Sequence, residues 1–300
     1  MKNFTHKKRL LLFGGQFDPV HIEHLQILKA AIAEVVPDIV KVVPSYTQKT
    51  KSMPFAPFNT RVQMLKLALD EWQIFAEVDE VERELVEKGL TNGYTMDMLQ
   101  AIKNRYPDDT LYFLIGADQF LNFDSWYMPD KITELATLVI AGRMPMQITK
   151  EQIIAFENRY ATNVHLCTYA GRELSSTILQ CKLAFGKSTI DEIPTSVIEF
   201  LHEHREIYQP DILQKGLEFL MPLRREHSYR VAKKAMEVVN TYHLDRKQVL
   251  YAAALHDIAK NLKSSHPSLQ NFKPTDERLT DKSPVWHVAL YIPSRASRIA

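Results

Sequence analysis

The chain has 300 residues, 45% hydrophobic and 24% charged, which is enough apolar material for one large or two ordinary cores. Lys and Arg number 37 against 36 Asp and Glu, so a formal net charge of +1 leaves no global field for nucleic acid or a membrane surface, and any anion site must be local. Cys167 and Cys181 are the only cysteines and have no metal-type spacing, so they read as small core thiols in a reduced, intracellular chain.

In chain order, the basic start Lys7-Lys8-Arg9 precedes an apolar run too short for a signal-peptide core or a membrane span, and a cytoplasmic location is expected. Short β-rich runs then alternate with longer helical patterns, the signature of parallel strands joined by crossover helices. Strands are predicted at Arg9 to Phe13, Ile39 to Val43, Ile74 to Val81, Thr110 to Ile115, Leu138 to Ala141 and Val164 to Tyr169. Helices are predicted over Ile22 to Val35 and Thr60 to Trp72, the second with Asn59 as its N-cap. Strands such as "LYFLI" are apolar on both faces, so helices should cover each side of the sheet. The expectation is a doubly wound, Rossmann-like α/β domain with function gathered at strand C-termini, where Gly14-Gly15, Pro44 and Gly116-Ala117-Asp118 fall. Tyr208-Gln209-Pro210 breaks the preceding helix, and no strand pattern follows. A boundary near Gln209 divides the chain into 1–208 and a smaller all-α segment, 209–300, with amphipathic helices over Glu226 to Asn240 and Arg246 to Asn261.

The stretch "GGQFDPVHIEH", Gly14 to His24, follows the first apolar run directly. If a helix begins just after Pro19, His21 and His24 project side by side from its first turn. Free N–H groups and the positive dipole end would bind an anion there, and Gly14 and Gly15 would admit a phosphate that a Cβ excludes. Two imidazoles could then donate to phosphate oxygens as charge shifts during phosphoryl or nucleotidyl transfer, with no nucleophile required. Spacing alone leaves open a plain strand-turn-helix with two exposed histidines.

The same stretch resembles the G-G-x-F-D-P-x-H-x-G-H signature of the nucleotidyltransferase superfamily. The ordered series "VVPSYTQKTK", "NTRVQMLKLAL", "GYTMDMLQAIKNRYPDD", "LYFLIGADQFLNFDSWY", "LSSTILQ" and "IPTSVIEFLHEHREIY" is similar to bacterial nicotinate-nucleotide adenylyltransferases. The resemblance implies that the phosphate of nicotinate mononucleotide attacks the α-phosphorus of ATP, with Mg²⁺ on the triphosphate, releasing pyrophosphate and forming deamido-NAD. It makes His21 and His24 the catalytic pair and assigns Gly14, Gly15, Phe17, Asp118, Arg143, Ser175, Ser176 and Thr177 to ATP. It assigns Lys51, Tyr94, Thr95 and Trp126 to the mononucleotide, the indole being apt for stacking on a pyridine. Four positions depart from the family: Glu23 stands for the glycine between the histidines, Gly93 for a Ser, Thr50 for a His, and Gln180 for the Arg that ends I-S-S-T-x-I-R. The loss of that Arg removes a permanent cation, though Lys182 lies two residues on, and a weakened ATP affinity is expected.

In the tail, His227 heads one helical pattern and His256-Asp257 ends the next. They are potential metal ligands, although adjacent residues on a helix point about 100° apart and a surface His beside an exposed acid is equally compatible. The segment resembles HD-domain phosphohydrolases, especially bacterial enzymes that cleave diadenosine tetraphosphate and are found joined to such adenylyltransferases. That resemblance implies iron or manganese at His227, His256 and Asp257, with Lys260 matching the family lysine and His287 a further candidate. The family's later ligands are not matched before Ala300, so an incomplete HD-like domain is expected. The alternative overall reading makes this metal phosphohydrolase chemistry the main activity and the first domain a nucleotide-binding module.

Overall fold

The computed structural model describes residues 7–46, 53–143, 148–239, 241–242 and 244–258. In order they form β1 (Arg9–Gly15), α1 (Ile22–Val35), β2 (Ile39–Pro44), α2 (Phe58–Glu71), β3 (Glu77–Val78), α3 (Val81–Glu87), α4 (Thr95–Arg105), β4 (Thr110–Gly116) and α5 (Ala117–Leu121). There follow α6 (Pro129–Leu135), β5 (Ala136–Arg143), α7 (Lys150–Tyr160), β6 (Val164–Gly171), α8 (Ser176–Ala184), α9 (Thr195–Glu203), α10 (Asp211–Glu218), α11 (Pro222–Val238) and α12 (Arg246–Leu255). They divide into two units, Met1–Thr50 with Ala56–Ser176 and Ile190–Phe200, and Lys51–Phe55 with Thr177–Thr189 and Leu201–Ala300.

The first unit is built on a six-stranded sheet in the order β3-β2-β1-β4-β5-β6, every pairing parallel. This is the doubly wound, Rossmann-like arrangement, with its order reversing between β1 and β4. Leu10, Leu11 and Leu12 are fully buried, so both faces of β1 are covered, as the unbroken apolar run requires. On one face Leu10, Leu12, Leu111, Phe113, Ile115, Leu138 and Ile140 pack with Leu99, Ile102, Ile132 and Phe156 from the crossover helices.

Two local expectations change. The predicted strand over Ile74 to Val81 pairs only at Glu77 and Val78. A left-handed Gln73 and a turn in which the Ala76 N–H donates to the Ile74 carbonyl consume its start, and the Asp79 carboxylate, accepting from the Val81 N–H, begins a helix at its end. Asn59 is not an N-cap: α2 begins at Phe58, two residues before the predicted Thr60 and behind Pro57, and the Asn59 side chain accepts from Arg83 instead (3.2 Å).

In the second unit α11 packs along α12, burying Ala232, Met236, Leu250 and Ala254. α10 lies so close to α12 at Gly216 that a Cβ there would strike Leu255. α11 starts a turn before the predicted Glu226, at Pro222, whose ring suits the first helical position. Among the described residues after Gly171 there is no strand, and no helix is long and apolar enough to cross a membrane.

Candidate active site

The C-terminal ends of β1, β4, β5 and β6 open onto one cavity, at the point where the strand order reverses. Its lining includes Gly14, Gly15, Phe17, His21, Glu23, His24, Gly116, Asp118, Gln119, Gly142, Gly171 and Arg172. Ligands in open parallel sheets bind in this crevice because the neighbouring connections leave toward opposite faces there.

β1 runs through both glycines, pairing Gly14 with Val43 and Gly15 with Pro44. The two glycines are required for different reasons. A Cβ at Gly15 would come within 2.9 Å of the Phe17 ring, so packing inside the loop demands glycine there. At Gly14 it would meet only Phe113 at 3.5 Å, an ordinary contact, so protein packing does not exclude a side chain on this cavity-lining residue. Phe17 adopts φ 50°, a left-handed conformation that costs a phenylalanine about 1–2 kcal/mol. Burial of its ring against Phe13 (5.3 Å) and His24 (5.0 Å) offsets that cost. Arg61, 1% exposed, fastens the loop from α2 by donating to the Gln16 carbonyl (2.7 Å) and the Ala56 carbonyl (3.3 Å), while buried Asp18 accepts from the Ala56 N–H.

His21 is the N-cap of α1 and His24 stands in its first turn, with their rings stacked at 3.6 Å. Nδ1 of His24 accepts the main-chain N–H of His21 (3.2 Å), so the neutral ring carries its proton on Nε2, as a donor. Two imidazoles at the positive end of a helix thus face one cavity with no nucleophile among them, an arrangement suited to holding an anion whose charge is shifting.

Glu23 has 5% of its side chain exposed. It accepts from the Arg172 N–H (2.8 Å), Arg172 Nε (3.0 Å) and the Tyr169 hydroxyl (3.1 Å). The hydrogen bond to Glu23 raises the Arg172 pKa, while burial, together with Glu23, pushes the Tyr169 hydroxyl up. Asp118, in α5, lines the same cavity and accepts from Gln119 (2.8 Å).

The remaining predicted residues divide. Ser176 begins α8 and donates its hydroxyl to the Pro19 carbonyl (3.1 Å), tying that helix start to the histidine loop, while from this segment Arg172 and Leu174 line the cavity and Ser175 and Ser176 do not. Thr177 belongs to the second unit. Arg143 ends β5 opposite Gly171, and only its backbone is described. Lys51 and Thr50 lie outside the described residues. Tyr94 caps α4, whose first residue is Thr95, and its ring stacks on Tyr127 at 4.4 Å. Trp126 packs edge-on against Phe113, the ring next to Gly14. Gly93 has φ 85°, a left-handed turn position that explains glycine where the family has Ser. Gln180 is fully buried. Arg172, Gln119 and Tyr127 were not singled out from the sequence. Tyr127 adjoins Trp126 and was findable, whereas Arg172 meets its partner across 149 residues and carried no local signal.

In the second unit a ligand atom from each of His227, His256 and Asp257 lies within 4.8 Å of the others. Asp257 Oδ2 is 3.9 Å from His227 Nε2 and 3.3 Å from Arg224 Nη1, and Oδ1 is 3.5 Å from His256 Nε2. Two imidazoles and a carboxylate suit a divalent transition metal, with Arg224 competing for the same oxygen. Lys260 and His287 lie outside the described residues.

Residues 12–265 match the cytidylyltransferase-like family. A probable nicotinate-nucleotide adenylyltransferase from Shouchella clausii is 34% identical over 67% of this chain and 97% of its own length. A probable nicotinate-nucleotide adenylyltransferase/Ap4A hydrolase from Mycoplasma pneumoniae is 29% identical over 84% of this chain and 67% of its own length. In fold, the chain is similar to a Plasmodium falciparum nicotinic acid mononucleotide adenylyltransferase complexed with NaAD, with a TM-score of 0.54 and 18% identity over 67% of this chain and 97% of that one. With its histidine loop at the switch point of a parallel sheet and a relative matched along nearly its whole length, the chain belongs to the nicotinate-nucleotide adenylyltransferases of the cytidylyltransferase-like family.

Proposed function

We propose that this chain transfers the adenylyl group of ATP to nicotinate mononucleotide, giving deamido-NAD and pyrophosphate, and that residues 1–208 carry this reaction. The observation that carries the reading is the stacked His21–His24 pair at the N-terminus of α1, in a cavity formed by the strand ends at the switch point. The mononucleotide phosphate oxygen bonds to the α-phosphorus, and the bond to the bridging oxygen of the β-phosphate breaks. His24, donating from Nε2, and the positive dipole end of α1 stabilise the charge that builds on the transferred and departing phosphates. Gly14 leaves room for the phosphate chain, and the stacked Tyr94–Tyr127 pair with Trp126 offers aromatic faces for the pyridine ring. Mg²⁺ arriving with ATP supplies further neutralisation of the triphosphate. Glu23 is committed to Arg172, so Asp118 is the cavity carboxylate with which the ion would fit. The test is pyrophosphate release from ATP, Mg²⁺ and nicotinate mononucleotide, with nicotinamide mononucleotide in parallel. His21→Ala and His24→Ala should each lower kcat by about two orders of magnitude or more, and near-normal rates would overturn the assignment.

A second reading, carried by the His227, His256 and Asp257 cluster, is that the tail 209–300 binds iron or manganese and hydrolyses a nucleotide such as diadenosine tetraphosphate. The metal would polarise a phosphoryl oxygen and activate water, and Arg224 must give up Asp257 to admit it. Metal content after loading with Mn²⁺ should approach one equivalent per chain and fall on Asp257→Ala. A chain that retains no metal would refute the site.

A further inference from the structure

We propose that Glu23 and Arg172 act as one device: the buried carboxylate fixes the Arg172 guanidinium at the cavity, where it pairs with the triphosphate of ATP and replaces the cation absent at Gln180. This rests on the adenylyltransferase reading for the identity of the anion.

Glu23 stands where a glycine is expected, beside two phosphate-facing histidines on a first helical turn. A carboxylate with 5% of its side chain exposed, at the mouth of a triphosphate site, would repel the substrate as well as carry its own desolvation cost. Its oxygens are instead occupied by three donors from the exit of β6, two of them on Arg172. The β5–β6 register shifts between Ile140 and Gly142, so the end of β6 is re-aimed just before Arg172. Gly171 fits the same device, since a Cβ there would fall 2.7 Å from Glu23 Oε2.

Among the described residues lining the cavity, Arg172 is the one lysine or arginine. Glu23 takes its Nε edge, and Nη2 makes only a long contact with the Asp191 carbonyl (3.5 Å). A planar guanidinium can be held by a carboxylate along one edge while its Nη groups donate to a phosphate, a division of labour that an ammonium cannot reproduce. Gln180, neutral and fully buried, supplies no charge.

The pair makes a prediction with a sign that packing alone would not give. Arg172→Ala removes the cation and also exposes the triphosphate to the unpaired charge of Glu23, so ATP affinity, titrated with MgATP in the absence of mononucleotide, should fall about tenfold or more. KM for ATP should rise in parallel, KM for nicotinate mononucleotide should stay unchanged, and Arg172→Lys should recover only part of the loss. The double variant Glu23→Gly/Arg172→Ala should bind ATP more tightly than Arg172→Ala alone, because the repulsive carboxylate is gone. Should Arg172→Ala fail to fold, the comparison of Glu23→Gly with the double variant reads the guanidinium without its holder, and a loss that is present but smaller than in the Glu23 background is expected. ATP affinity unchanged in Arg172→Ala, or a double variant no better than the single, would overturn the proposal while leaving pyrophosphate release by the wild type intact. A wild type that binds ATP through Arg172 yet releases no pyrophosphate would sink the adenylyltransferase reading and keep this one, and a wild type that binds no ATP would end both.

Discussion

Adjacent glycines with different reasons to exist invite a paired substitution. At Gly15 a Cβ would lie 2.9, 3.1 and 3.2 Å from three atoms of the Phe17 ring. That ring is 1% exposed, with Phe13 and His24 against it and a left-handed backbone beneath it, so it cannot swing aside. Gly15→Ala should therefore behave as overpacking, costing about 2–3 kcal/mol. At about 2–4 °C per kcal/mol for a domain of this size, Tm should fall by roughly 4–12 °C. Because Phe17 supports His24, kcat should fall about tenfold or more as well. Gly14→Ala meets nothing closer than 3.5 Å, and stiffening the unfolded chain should leave Tm unchanged or raise stability by about 0.5 kcal/mol. Its methyl group enters the cavity, so the KM for ATP should rise about tenfold at nearly wild-type kcat. Thermal melts beside steady-state kinetics on the two variants suffice. Equal losses of Tm, or a Gly14→Ala enzyme with normal ATP dependence, would refute the division between a packing glycine and a ligand glycine.

Burial raises the thiol pKa of Cys167 and Cys181 to about 12, with Glu34 adding to the effect at Cys167, so both should resist alkylation in the native protein at pH 8 and react fully once it is unfolded. Because the unfolded thiols ionise near their usual 9 while the folded ones do not, stability should decline as pH rises from about 9 toward 12, a loss reduced in Cys181→Ala. Tyr127→Ala should raise the KM for nicotinate mononucleotide about fivefold through loss of the Tyr94 stack, with the KM for ATP unchanged; the reverse pattern would place the pyridine elsewhere. Arg61→Leu leaves the half-buried Gln16 carbonyl and the buried Ala56 carbonyl without their guanidinium donor and should destabilise by about 3 kcal/mol by denaturant titration, whereas a neutral result would show that Arg61 does not fasten the loop.

Local patterns carried much of the fold. The bounds of α1 and the starts of β1, β2, β4 and β6 follow from apolar runs and their period, because those residues are buried on the faces the pattern implies. The exception, Ile74 to Val81, has strand-like residues but lies at the sheet edge, where a two-residue pairing suffices and Asp79 can start a helix. In the candidate site, the juxtaposition of His21 and His24 was legible because three residues at a helix start are close whatever the rest of the chain does.

What the sequence determined by itself was this local grammar: the strand, the glycine turn, the histidine pair on a first helical turn, and the series of motifs that marks the family. Only the tertiary structure decided what Glu23 and the two glycines touch. A carboxylate between two histidines on a first helical turn has no visible partner until the exit of β6 brings Arg172 to it across 149 residues. Likewise Gly14 and Gly15 look alike until the Phe17 ring is folded under one of them. Charge and steric fit act through distances of a few ångströms, and those distances exist only once the sheet has set its strand order.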